Sequence, residues 1–246
     1  MAKSNQSGRS PRIAIRNLKM ATRMTVRLHP NRFHFTILFL FLLSALRVDA
    51  KGTKYVTCGS VLKLLNVGSN VRLHSHSIKY GTGSGQQSVT ATEIQEDGNS
   101  HWLIKAETEK QCTRGKPIKC GDIVRLEHLA TKKNLHSHHF SSPLSANQEI
   151  SAYGDEKGDG DTGDDWQVVC QDEFWERDGT IMLRHIDTNV FLSSSDRTYG
   201  NPITGQVEVV GTYTAIGDNS NWKSMEGLFI HPNDFKAHHS YHHTEL

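Results

Sequence analysis

The 246-residue chain carries 28 Lys+Arg against 26 Asp+Glu, but nine of the basic residues and only one acidic residue fall in residues 1–50. The remainder is acidic, 19 basic against 25 acidic or −6, which argues against nucleic-acid binding, because that affinity is drawn from cationic contacts with phosphates. Four cysteines, all beyond residue 50, form an even set suited to disulfides in an oxidising compartment and leave no thiol over for a cysteine nucleophile.

Residues 1–48 contain no acidic side chain and end in an apolar run from Phe33 to Leu43, followed by small residues and Val48-Asp49-Ala50. A basic region, an apolar core and a small residue at the cut is the order of a secretory signal peptide, so residues 1–50 are expected to be removed on entry into the secretory pathway. The apolar run is shorter than the roughly 20 residues a spanning helix needs.

Beyond residue 50 one pattern returns three times. Leu73-His74-Ser75-His76 comes back as Leu135-His136-Ser137-His138 and, weakened, as Leu192-Ser193-Ser194-Ser195, the leucines 62 and then 57 residues apart. The apolar pairs Leu62/Leu64, Val124/Leu126 and Ile181/Leu183 keep the same step, and Trp102, Trp166 and Trp222 close the units. Fixed landmarks in fixed order are the mark of a repeat architecture. Each unit reads as four short strands: one after a Gly turn at Gly59, Gly121 or Gly179, one through the leucine, one with Val89, Ile150 or Val207, and one starting at the tryptophan. Three units of four strands predict an all-β fold that closes on a threefold axis, a β-trefoil, over residues 51–235 (about 54–112, 113–171 and 172–235). If the first and last strands of a unit pair antiparallel, their outer ends meet. That predicts two disulfides, Cys58 with Cys112 and Cys120 with Cys170.

The loops carry less chemistry than their composition promises. Tyr80 to Gln86 has the Gly spacing of a phosphate cradle, but no helical pattern follows it, so it reads as a turn. Gly154 to Asp165 begins like a calcium loop, yet Gly163 and Cys170 stand where ligands belong, so it reads as a solvated hairpin loop. The tail 236–246 is rich in histidine and ends in His243-Thr244-Glu245-Leu246, which matches the form of an ER retrieval signal.

Cys58-Gly59-Ser60-Val61, the two Leu-His-Ser-His stretches, Gly83 to Val89, Asn147-Gln148-Glu149, Asp164-Asp165-Trp166 and Met225-Glu226-Gly227 closely resemble the stromal cell-derived factor 2 family, whose members are built from three MIR repeats. The resemblance covers residues 54–235 with matching gaps. It implies a non-catalytic β-trefoil of the ER lumen, free of cofactors, that associates with a J-domain co-chaperone and the chaperone BiP in quality control of misfolded secretory proteins. A carbohydrate- or O-mannosyl-glycoprotein-binding module is the alternative.

No catalytic constellation stands out: His136 neighbours Ser137, but neighbours on a strand point to opposite faces. At i and i+2, by contrast, His74 with His76 and His136 with His138 share a face. These histidines either hydrogen-bond loop carbonyls and fix turns, or face a ligand. Zinc would need a third ligand that the spacing does not supply. Arg72, His74, His76, His136, His138 and His139 form the candidate ligand- or partner-binding set, with no metal site. The residues two before the tryptophans, Ser100, Asp164 and Ser220, are not the Gln of sugar-binding Gln-x-Trp trefoils, so the tryptophans are expected in the core.

Overall fold

The computed structural model describes residues 54–231; the expected signal peptide and the retrieval tail lie outside them. Twelve strands follow one another in three sets of four: β1 (Val61–Asn66), β2 (Arg72–Lys79), β3 (Gln87–Thr92) and β4 (Trp102–Ala106); β5 (Ile123–His128), β6 (Asn134–Ser141), β7 (Gln148–Tyr153) and β8 (Trp166–Val169); β9 (Thr180–His185), β10 (Phe191–Thr198), β11 (Val207–Thr212) and β12 (Trp222–Leu228). One short 3₁₀ turn precedes the tryptophan strand of each set.

The pairings close on a threefold pattern. β1, β4, β5, β8, β9 and β12 pair antiparallel in that order, and β12 returns to β1, so six strands make a barrel without a free edge. The hairpins β2–β3, β6–β7 and β10–β11 cap one end, where β3, β7 and β11 pair with one another around the axis. This is a β-trefoil. The registers make Arg72, Asn134 and Phe191 equivalent, and likewise His74, His136 and Ser193. They also correct one assignment: the third-lobe counterpart of Val89 and Ile150 is Val209, while Val207 takes the place of Gln87 and Gln148.

The repeated landmarks are buried for a shared reason. Leu73, Leu135, Leu192 and the three tryptophans have no solvent exposure, and each indole N–H donates to the carbonyl of its lobe's leucine at 3.0, 2.9 and 2.9 Å. Every buried apolar side chain of this size contributes about 1.5–3 kcal/mol, and a lone lobe has no second surface against which to bury it. The turn between the first two strands of each lobe needs one left-handed residue, at Asn70, Lys132 and Asn189 with φ of 55°, 61° and 62°. Asparagine suits that conformation better than lysine.

Cys58–Cys112 and Cys120–Cys170 are bonded, and β1 pairs with β4 as β5 does with β8, the geometry on which the pairing rested. In the third lobe Arg177 stands four residues before Ile181, as Cys58 does before Leu62, and its guanidinium stacks on Phe229 at 3.9 Å from the ring centre. Phe229, like Cys112 and Cys170, is partly buried against the core, so in the third lobe a cation–π contact stands where the other two lobes have a disulfide.

Candidate functional site

Two of the three cap hairpins, β2–β3 and β6–β7, carry the candidate histidines. Alternation along β2 and β6 sets His74 edge-on to His76 and His136 edge-on to His138, with ring centres 5.1 and 5.0 Å apart. The intervening Ser75 and Ser137 turn inward, donate to the Ser88 and Glu149 carbonyls, and accept from Gln87 and Gln148 at 2.8 Å each. Those serines and glutamines are cap framework.

The first histidine of each pair binds a carboxylate rather than a loop carbonyl. His74 Nδ1 lies 2.6 Å from Asp97 and His136 Nδ1 lies 2.9 Å from Asp164; the third lobe has the hydroxyl pair Ser193 and Ser220 at 2.6 Å instead. Burial pushes the Asp97 carboxyl up, but hydrogen bonds from Ser100 and His74 outweigh it and hold the group below the usual carboxylate range. The second histidine differs between lobes. His138 Nε2 meets the fully buried Glu149 at 3.2 Å, whereas His76 has the Gln206 side chain beside it in place of a carboxylate. Burial, followed by the charge of His74, pulls His76 below the ordinary histidine value.

Around the second lobe His136, His138, the exposed His139, Tyr153, Asp161 and Asp187 line an open cleft of about 470 Å3. Tyr153, His136, His138 and Phe140 form a continuous run of ring contacts with centre distances of 5.0, 5.0 and 4.7 Å. Arg72 lies apart from that cleft, its guanidinium forked onto Glu226 at 2.8 and 3.4 Å, a contact that ties β2 of the cap to β12 of the barrel. The candidate set is thus divided between two lobes, with Arg72, His74 and His76 in one and His136, His138 and His139 in the other.

His136, Asp161 and Asp164 place three ligand-type atoms within 4.8 Å of one another. Both carboxylates are already engaged as caps of the 3₁₀ turn, accepting the N–H groups of Gly163 and Asp161, and Asp164 also accepts from Asn134 at 3.0 Å. The acidic loop 154–165 is accordingly more than a solvated hairpin: Asp164 and Asp165 are buried, and the loop is tied down through Asn134, His136 and Thr108.

A family model described as the MIR domain matches residues 63–216, a span that holds both His-x-His pairs. Over 212 residues the chain is 51% identical to stromal cell-derived factor 2 of Mus musculus, covering 85% of this chain and 99% of that relative. The chain belongs to the stromal cell-derived factor 2 family. Stromal cell-derived factor 2-like protein 1 of Homo sapiens is 56% identical over 181 residues, covering 74% of this chain and 81% of that one. The crystal structure of the SDF2-like protein from Arabidopsis thaliana superposes with a TM-score of 0.70 at 38% identity, covering 73% of this chain and 99% of that chain.

Within this family fold, the residues that bond loop carbonyls are two histidines the sequence did not single out. His128 and His185 end β5 and β9, are fully buried, and reach the carbonyls of Asn99 and Gly163 at 2.9 and 2.8 Å while pairing with Thr131 and Thr188. Asn66 is the first-lobe equivalent and donates to the Asn219 carbonyl at 2.8 Å. Their recurrence at the step of the repeat was a usable signal.

Burial brings His128 down to about 4 from the ordinary 6.5 and lowers His185 in the same direction. Between those values the unfolded chain takes up protons that the folded chain refuses, so their contribution is fully present above pH 6.5 and is lost as pH falls towards 4. His128 alone accounts for about 3 kcal/mol across that window. Asp165, raised by burial, opposes the trend near its lower end. Thermal unfolding at pH 7.5, 6, 5 and 4.5 is expected to show a falling Tm, with a shallower fall in His128→Gln. A Tm independent of pH over this range would contradict the assignment.

Proposed function

We propose that the protein is a non-catalytic chaperone cofactor of the ER lumen, joining a J-domain co-chaperone and BiP to keep misfolded secretory proteins soluble. The observation that carries this reading is membership of the stromal cell-derived factor 2 family across nearly the whole length of the mouse relative. Among the described residues, buried polar side chains such as Asn66, His128, His185 and Gln148 hold loops and hairpins in register, and the cysteines are disulfide-bonded. The exposed remainder, chiefly the ring-lined cleft of the second lobe, suits contact with a protein partner. Each client contact is weak, and avidity comes from the assembly.

Affinity capture from the ER lumen with His243 to Leu246 intact is expected to recover a J-domain protein and BiP. With that partner, the purified protein is expected to delay aggregation of an unfolded client. Deleting His243 to Leu246 should move the protein from the lumen to the medium, measured as the secreted fraction in a pulse-chase. Capture that yields neither J-domain protein nor BiP, together with glycan-array binding, would replace this reading with a carbohydrate-binding one.

A further inference from the structure

The three lobes differ in what borders the place of the second-lobe cleft. Strand register makes Tyr153 equivalent to Thr92 and Thr212, since each lies opposite the first residue that its lobe's second strand pairs. The turn that completes the cleft comes from the following lobe and is held by Gln148, which donates to Thr188 at 2.6 Å as Gln87 does to Thr131 at 2.8 Å one lobe earlier. In that turn Asp187 stands where the other lobes have Ala130 and Gly68, each two residues beyond His185, His128 or Asn66. Asp161, at the start of its 3₁₀ turn, has Asp97 and Ile216 as counterparts. Of the three lobes, only the second joins an aromatic ring to two aspartates here.

These groups face solvent and lie close together. Tyr153 is 40% exposed and the Asp161 side chain 56%, and both line the open cleft of about 470 Å3 with the exposed Asp187. Asp161 Oδ1 lies 3.6 Å from His136 Nδ1, and the His136 ring centre is 5.0 Å from that of Tyr153. Both aspartates accept from neutral donors, Asp161 from Gly163 N–H at 3.0 Å and Asp187 from the Thr162 hydroxyl at 2.8 Å. Those bonds hold the carboxylates in place without cancelling their charge. Behind the ring wall stand two more, Asp164 at 2.9 Å from His136 and Glu149 at 3.2 Å from His138, both fully buried. Among the described residues no lysine or arginine lines the cleft. A concave wall with one sign of charge concentrates its field in the cleft, and an aromatic face adds to the attraction of a cation. A neutral sugar could stack on Tyr153 but would draw nothing from the net charge.

We propose that this cleft binds a cationic side chain of a partner protein, an arginine set against Tyr153 with Asp161 and Asp187 as its acceptors. Arginine suits the site better than lysine, because its planar, weakly hydrated guanidinium stacks on a ring while its edge donates to carboxylates. The inference deepens the partner-binding reading above and rests on it for the arginine's belonging to a protein, but its test needs no chaperone.

At pH 7.5 and low salt, histidine ring signals of the purified protein are followed by NMR during titration with Ac-Ala-Arg-Ala-NH2, with the uncharged isostere that carries citrulline in place of arginine, and with methyl α-mannoside. A saturable His136 shift with the arginine peptide alone is expected, and it should weaken as salt is raised, because exposed charges are screened. Asp187→Asn should weaken binding about fivefold, the upper end for an exposed ion pair, and Tyr153→Leu by a similar factor, that of one exposed cation–π contact. Glu156 is an exposed carboxylate of the same acidic loop that does not line the cleft, so Glu156→Gln should leave binding unchanged. Equal response to the citrulline peptide, no saturable response to the arginine peptide, or as large a loss with Glu156→Gln as with Asp187→Asn would each overturn the proposal. Saturation by the mannoside in place of the arginine peptide would overturn it in favour of a carbohydrate site. If J-domain capture fails while the arginine peptide binds, the chaperone reading falls and this site stands; capture without an arginine response removes the site and leaves that reading.

Discussion

Trp166→Ala is expected to lower stability by about 3–5 kcal/mol, the cost of removing a large aromatic from a core that relaxes only in part. Trp166 is fully buried, pairs with Val124 on one side and His185 on the other, and lies 4.8 Å from the His185 ring. For a domain of this size the loss corresponds to a fall in Tm of about 6–20 °C by calorimetry. Trp166→Phe separates the two parts of the effect. It keeps most of the packing but removes the N–H that reaches the Leu135 carbonyl at 2.9 Å, and a buried carbonyl left unpaired costs about 1–3 kcal/mol. Leu135 directly precedes His136, so the phenylalanine variant should also disturb the His136 ring signal, while His74 in the first lobe stays unchanged. A Trp166→Ala protein melting within about 3 °C of the parent would mean that the lobes do not share one core.

That the tryptophans and leucines define the fold was legible because their chemistry is one-sided. A large apolar residue recurring at a fixed step has one stable destination, and twelve short strands with the two disulfides followed from it. The site was only half legible for the opposite reason. Period-2 alternation placed His74 with His76 and His136 with His138, but the partners of each histidine lie 11 to 28 residues away on other elements. Nothing in Asn147-Gln148-Glu149 taken alone says that Glu149 is fully buried; the register of β6 against β7 does. The acidic loop misled by composition, since the backbone N–H groups that engage Asp161 and Asp164 leave no trace in the sequence.

The disulfides set the second large effect. Cys58–Cys112 and Cys120–Cys170 close loops of 54 and 50 residues, and restricting the unfolded chain to that extent contributes about 4 kcal/mol for each on a chain-entropy account. The double variant Cys58→Ala/Cys112→Ala is therefore expected to melt about 8–16 °C lower, with Cys120→Ala/Cys170→Ala close behind. The third lobe supplies an internal comparison, because Arg177 on Phe229 joins the equivalent ends of β9 and β12 without a covalent bond. A partly exposed cation–π contact is worth about 1 kcal/mol, so Arg177→Ala should shift Tm by only a few degrees. The contrast has a physical basis: the stacked pair acts on the folded state alone, whereas each disulfide also limits the denatured ensemble. Equal losses from Arg177→Ala and from either cystine pair would place the stabilisation in local packing at the strand ends and remove the entropic account. The same reasoning predicts where reduction acts first. Unpinning Cys58–Cys112 frees the outer ends of β1 and β4, the pair that closes the first lobe, while the cap hairpins that carry His76 and His138 stay held by the β3, β7 and β11 pairings.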